Sequence, residues 1–492
     1  MSKRLVGLLA FIVAIGTSFY IGYNMDTVEP QDTGNQDENP PLNEDGATTI
    51  TDEVFLEVLE SLMENHYTQP SRDLLMEGAV NGMFDALNDP HSSYFDYEEY
   101  SQFQSGFEES YVGIGVRVSF VEGQIIVEDV MEGGPAEEAG ILPNDIIVSV
   151  DGVDITEQNF YDTINMILGE EGTDVVIGIF RQGVDNIIQL TMTRAVIQNA
   201  SVNYQVFNKN GQKLGYIEVT QFGDETANKF HDAITALEAQ NIDGLVIDLR
   251  NNGGGHLSTV YNMMNEFLVD NGKPMFSTEY YSDGEFFSNN YYASNSTPKP
   301  YDIVTLVNQN SASASEVFAS AMQEQGNYPL VGTVTYGKGT MQTDMVVQAT
   351  VGDRLHISIG KWITSEGNWV HFNGGTDGIT PDIIVEPTGA ETAYKVFLID
   401  EGPLQVDTVD PRIANVQQII NTMGYNVRTD GYFDQDTYSA IINIQNDHNI
   451  PATGMIDEAT LTVINAALDA FRDNPSNDSQ LQAALDYFSN ND

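Results

Sequence analysis

From about residue 214 the chain alternates short apolar runs with longer amphipathic stretches, and no other feature limits its fold as tightly. KLGYIEVT precedes ETANKFHDAITALEAQ, GLVIDLR precedes TVYNMMNEFLV, and IVTLVN precedes SEVFASAMQEQ and PLVGTVT. Strands that are apolar throughout need cover on both faces, and the intervening helices supply it. The pattern therefore predicts an α/β core with buried, largely parallel strands. A β-rich stretch follows in TDMVVQATVG and RLHISIGKWIT.

The 492 residues exceed what one hydrophobic core serves, so several domains are expected. Residues 110–194 read as short strands with glycine turns: YVGIGVRVSF, GQIIVEDV, DIIVSVDG and DVVIGIFRQG, with PAEEAG and FYDTINMIL as helices. Before them, FLEVLESLMENHY behind a Thr51/Asp52 cap and DLLMEGAVNGMFDALND read as two amphipathic helices, the second ended by Asp89-Pro90. After Pro403 the chain is helical again, and no internal repeat is read.

Residues 1–4 carry Lys3 and Arg4, and residues 5–23 run nineteen positions without a charge. At about 1.5 Å per residue that run spans roughly 28 Å, close to a bilayer's hydrocarbon core. The basic pair predicts a cytoplasmic tip, a single-pass anchor in the cell membrane and an extracytoplasmic remainder; a cleaved signal peptide is the competing reading. Residues 24–51 hold seven acidic groups and three prolines, an acidic disordered stalk.

Acidic residues outnumber basic ones 73 to 19, for a net charge of −54. That field repels nucleic acid and excludes it as a partner. Its spread along the chain suits a surface adapted to high salt. The absence of cysteine excludes disulfides, thiolate metal sites and cysteine catalysis.

Two segments carry chemistry. In GLVIDLRNNGGGH (244–256) a buried strand opens into three glycines whose N–H groups can approach an anion, although a plain tight turn has the same composition. The strand at 303–308 delivers NQNSASASE to a helix start, where free N–H groups favour negative charge. A serine there is a nucleophile or an ordinary N-cap. A nucleophile needs a base, and neither H-E-x-x-H nor G-x-S-x-G occurs. His91, His231, His256 and His371 are read as structural or solvated, with His256 beside the glycines left open. Lys338, between two glycines after an apolar strand, is a candidate for burial. Burial disfavours the ammonium, and a neutral amine could take a serine proton.

The combination of SASASE, GKGTMQ, an upstream DLRNNGGG and the glycine-turn segment before it resembles the carboxyl-terminal processing (tail-specific) serine peptidases of the S41 type. The resemblance covers about residues 52–395. It implies Ser313 as nucleophile, Lys338 as general base and Gln342 as the residue orienting that lysine. The oxyanion donors would be the N–H groups of Ala314 and of Gly254 or Gly255. Residues 110–194 resemble a PDZ domain, in which the N–H groups of Gly113, Ile114, Gly115 and Val116 would receive a peptide's terminal carboxylate. Many relatives carry an arginine where this chain has Leu168, which puts the coupling of that domain to catalysis in question. About residues 409–468 resemble a small helical peptidoglycan-binding domain.

The implied architecture is an α/β protease core (195–400) with N-terminal helices (52–109) and an inserted β-rich PDZ domain (110–194). A small all-α peptidoglycan-binding domain (405–470) and an acidic C-terminal tail (471–492) complete it. Its partners would be peptides with a free carboxyl end, peptidoglycan and the membrane, with a homodimer left open. No metal or organic cofactor is required. The rival reading is a catalytically inactive scaffold that binds peptide and peptidoglycan.

Overall fold

The computed structural model describes residues 50–489, apart from 106–109, 122–123, 132, 144, 156–159, 182–185, 199, 283, 373, 397 and 399–401. The cytoplasmic tip, the anchor and nearly all of the stalk lie outside the described residues. Among the described residues no helix is long and apolar enough to cross a membrane. The chain divides into two units, residues 1–79 and 80–492. In the first, Thr51 Oγ1 accepts the Val54 N–H at 3.4 Å and caps the helix Asp52–Asn65. That helix leaves Leu56, Val58 and Leu62 exposed.

Within the second unit, Ser93–Phe95 pairs antiparallel with Arg354–Thr364. The segment 110–198 begins and ends on one strand pair, Ser110–Gly113 against Ala195–Gln198. Between these lie the antiparallel strands Val116–Val121, Gln124–Val130, Ile146–Val150, Asp174–Phe180 and Ile188–Thr193, with the helices Pro135–Ala139 and Phe160–Ile167. Ile125, Val127, Ile147, Val150, Val175 and Ile177 fill its core. YVGIGVRVSF, read as one strand, is split at Ile114–Gly115 because Gly115 adopts φ +77°.

The central sheet has six strands in the order Val202–Lys209, Gln212–Val219, Gly244–Asp248, Asp302–Val307, Leu330–Gly332 and Ile383–Ile384. The first pair is antiparallel and every later pairing is parallel, as the apolar runs require. One face is covered by the helices Thr226–Glu238, Leu257–Met264 and Ala314–Glu324, around Phe222, Phe230, Phe267 and Phe318. A second, antiparallel sheet joins Thr340–Val346, Arg354–Thr364 and the hairpin Phe276–Ser282/Glu285–Tyr291.

The C-terminal helices Pro411–Thr422, Gln435–Asp447 and Glu458–Arg472 enclose a separate core of isoleucines, leucines, valines and Phe433. Here the structure corrects the sequence reading, because the segment contains a repeat. Gln417 Oε1 accepts the Gly431 N–H at 3.0 Å, and Gln445 Oε1 accepts the Gly454 N–H at 2.9 Å. Each glycine is followed three residues later by an aspartate that caps the next helix, Asp434 or Asp457, through the N–H of Thr437 or Thr460. The motif is G-x-x-D-x-x-T in both GYFDQDT and GMIDEAT.

Residues 471–492 were expected to be an acidic tail. Instead Ser479–Ser489 forms a helix whose Leu481, Ala484, Leu485 and Phe488 cover the second face of the central sheet, on Leu214, Val246, Val304, Leu306 and Val331. Phe488 lies so close to Gly244 that a Cβ there would meet its ring at 2.5 Å. Phe488→Ala should therefore destabilise the central core by about 3–5 kcal/mol. Urea unfolding checks this, and an unpacked tail would leave the midpoint unmoved.

Candidate active site

Three adjacent parallel strands, Gly244–Asp248, Asp302–Val307 and Leu330–Gly332, end on the same edge of the central sheet. Their exits carry the glycine loop, the serine turn and Lys338, so the topology alone gathers these segments, which are distant in sequence. Ser313 begins the helix Ala314–Glu324 with φ +55° and ψ −115°. An L-residue meets steric resistance at these angles, which belong to the first central position of a type II′ turn, usually glycine. The turn is nevertheless fixed on both sides. Ala312 N–H donates to Asn252 O at 3.1 Å and Ser315 Oγ–H donates to the same carbonyl at 2.8 Å.

Glu316, fully buried in the first turn of that helix, links the serine to the lysine. Its carboxylate accepts the N–H of Ser313 at 2.8 Å, of Lys338 at 2.8 Å and of Gly337 at 2.6 Å, and the Thr335 hydroxyl at 2.6 Å. Burial pushes the Glu316 carboxyl up and these donors pull it back. Because every partner donates, the acceptor-only carboxylate is the form that fits. The Ser313 and Lys338 amides bind the same oxygen, Oε2.

Lys338 is half-buried between two glycines with distinct reasons to be glycine. Gly337 has φ +89°, and a Cβ on Gly339 would meet Val370 O at 2.2 Å. Trp362 Nε1–H donates to Lys338 O at 2.9 Å and Trp369 Nε1–H to Gly339 O at 3.0 Å. These bonds fix the backbone of the lysine loop. Burial lowers the Lys338 ammonium below the ordinary lysine range, against the opposing pull of Asp89 and Glu316.

Gln342 sits at a bulge in the strand that follows. Its Nε2 donates to Thr340 Oγ1 and Ser358 Oγ, each at 3.0 Å. Ser358 N–H donates to Ser92 Oγ, which donates to Asp89 at 2.6 Å. The turn 89–92 thus reaches Gln342 from another part of the chain, and the Asp89 charge acts on Lys338, a link that sequence reading missed. His91 in that turn is held down to about 4 by burial first and by the Lys338 charge second, so it is neutral at pH 7. His256, left open above, lies 3.0 Å from Asp224.

In the glycine loop a Cβ on Gly254 would stand 2.9 Å from Ala312 O and 3.0 Å from Ser313 Cβ. Ala314 N is 3.1 Å from the same point, so this loop and the serine turn touch. The Gly254 N–H donates to Asn252 Oδ1 at 2.9 Å and is spent there, which leaves Gly255 as the loop's candidate oxyanion donor. The candidate carboxylate loop is set elsewhere, in the 110–198 segment. Ile114 O accepts the Ala136 N–H and Gly115 O the Met131 N–H, both at 2.9 Å. Val116 opens the next strand opposite Val130. Leu168 packs beside Gly113, its Cδ2 standing 3.2 Å from where a Cβ would project. Arg194 closes the neighbouring helix end by donating to Ile167 O and Met166 O.

Glu316→Gln would turn an acceptor oxygen into a donor facing donors. Each buried group left unpaired costs about 1–3 kcal/mol. A fall of that size in thermal stability is expected, together with loss of activity; an unchanged melting temperature would show that the carboxylate does not hold the two loops.

Residues 213–385 match the model of peptidase family S41 and residues 126–181 match a PDZ domain. Residues 409–464 match a putative peptidoglycan binding domain, and residues 12–99 match the N-terminal domain of the activating protease CtpB. The carboxy-terminal processing protease CtpB of Bacillus subtilis (strain 168) is 32% identical over 432 residues, 87% of this chain and 88% of its own. CtpA of the same organism is 32% identical over 428 residues, again 87% and 88%. Among solved structures, a photosystem II D1 C-terminal processing protease aligns with 26% identity and a TM-score of 0.43, covering 69% of this chain and 95% of that one. The chain belongs to peptidase family S41, as a carboxy-terminal processing serine protease with a PDZ domain and a peptidoglycan-binding domain.

Proposed function

We propose that the chain is a membrane-anchored, extracytoplasmic endopeptidase working by a Ser313–Lys338 dyad on exported proteins at the cell wall. The observation that carries the dyad is the single Glu316 carboxylate oxygen shared by the Ser313 and Lys338 amides. A substrate's carboxyl end adds a strand to the PDZ sheet, its terminal carboxylate received by the N–H groups of residues 113–116. Ser313 Oγ attacks the scissile carbonyl carbon while its proton passes to the Lys338 amine. The resulting oxyanion is held by the N–H groups of Ala314 and Gly255. The Lys338 ammonium then protonates the leaving amine, and the C–N bond breaks. Water, deprotonated by the same amine, hydrolyses the acyl-enzyme and restores the serine. Gln342 orients the lysine once it exchanges a present partner for it. The uncharged run 5–23 anchors the chain, and the C-terminal helical domain engages peptidoglycan.

The test is cleavage of a peptide with an apolar carboxyl end. Ser313→Ala should abolish turnover, and Lys338→Arg, which cannot lose its proton, should lower kcat by about 10²–10⁴. If both variants cleave as fast as the parent, the dyad is wrong; a parent that cleaves no such peptide would favour the scaffold reading. The reaction needs the neutral amine, and burial favours that form. Thus kcat/KM should rise with pH and level off, with its midpoint below lysine's ordinary 10.5. A pH profile of the parent chain checks the sign: a rate that falls as pH rises through this limb would exclude Lys338 as base.

A further inference from the structure

The strand Gly244–Asp248 is followed by Leu249 and Arg250, and Asn251 and Asn252 then lead into the glycines 253–255 beside Ser313. Its guanidinium is occupied on two sides. Nε donates to both oxygens of Asp248 at 3.0 Å, and Nη2 to Asp248 Oδ2 at 2.6 Å. The other edge forks onto Asp478, with Nη1 to Oδ1 at 2.8 Å and Nη2 to Oδ2 at 2.7 Å. Burial works against the Arg250 charge, but the two carboxylates outweigh it and hold the guanidinium above its usual range. Asp248 is itself fixed by the Tyr216 hydroxyl at 2.8 Å.

Asp478 comes from far along the chain, beyond the whole C-terminal helical domain. It precedes the helix Ser479–Ser489 and caps it through the Leu481 N–H at 2.9 Å. The stem on which the helical domain hangs is stitched at the same place. Ser479 N–H donates to Glu391 Oε1 at 2.8 Å, and Gln480 Nε2 donates to Val385 O at 2.9 Å. On the other side of Arg250, the loop is coupled to the reacting turn. Two residues on, Asn252 O takes the Ala312 and Ser315 donors, and Asn252 Oδ1 takes the Gly254 N–H. An unbroken path of hydrogen bonds and one short stretch of backbone therefore runs from Asp478 to the groups flanking Ser313.

We propose that Asp478 is a positioning residue for catalysis: its bidentate grip on Arg250 sets the glycine loop, so the loop is correctly placed only when the chain beyond the helical domain is docked on the central sheet. This rests on the Ser313 chemistry proposed above and adds to it a partner supplied by the C-terminal end. Asp478 touches no substrate and acts through Arg250.

Asp478→Asn is the decisive variant, because asparagine caps a helix as well as aspartate but lacks the charge and one of the two accepting oxygens that hold Arg250. Hydrogen–deuterium exchange is measured first, in full-length chains that also carry Ser313→Ala. Residues 249–256 are expected to exchange faster in the variant while residues 479–489 stay protected. In the chain with Ser313 intact, kcat should fall about 10- to 100-fold with KM within about twofold, the signature of a misplaced reacting group. Unchanged exchange in 249–256, or faster exchange there only alongside 479–489, would overturn the inference, the second by showing that Asp478 merely secures the helix. An unchanged kcat in an active parent would overturn it too. A parent chain that cleaves no carboxyl-terminal peptide would sink the proposed chemistry instead, and the exchange result would still decide this inference.

Discussion

One carboxylate, that of Glu316, carries the architecture of the site. A group with no exposed surface cannot be left without partners, and the four donors it binds come from two loops separated by more than twenty residues. Satisfying one buried charge therefore forces the serine turn and the lysine loop into a single arrangement. The two glycines around Lys338, the Trp362 and Trp369 indoles and the bulge at Met341/Gln342 elaborate a position that this carboxylate has already chosen. In a network of this kind partial satisfaction is worse than none, so its members stand or fall together.

The parallel sheet was legible because GLVID and IVTLV have no polar alternation, which leaves them no one-sided environment. Ser313 and Lys338 were legible as candidates through their motifs. Glu316 was not, since a glutamate in a helix's first turn reads as an ordinary favourable end charge, and only burial distinguishes it. The hairpin 276–291 escaped notice because its strands, FSTEYYS and EFFSNNY, are mostly polar, and the second is exposed along nearly its whole length. The C-terminal helix was hidden by acidic composition, although Leu481, Ala484, Leu485 and Phe488 already follow helical spacing. The G-x-x-D-x-x-T repeat was also present in the letters. Its two glutamines stand 14 and 9 residues before their glycines, and that unequal spacing disguised it.

Asp89, Ser92 and Ser358 illustrate a different limit. None has a residue type or neighbour that signals a role, and they meet only because Ser93–Phe95 adds to the edge of the second sheet opposite His356 and its neighbours. Long-range strand register of that sort depends on the whole fold, so no local window of sequence contains it.

The torsion at Ser313 has a consequence for the molecule as a whole. Holding a residue with a Cβ at φ +55° and ψ −115° costs on the order of 1–3 kcal/mol, while glycine would adopt the same angles freely. The side chain proposed as nucleophile is therefore kept at the expense of resilience, and a chain with glycine at this point would be the sturdier one. The proposed chemistry and durability are set against each other at a single α-carbon.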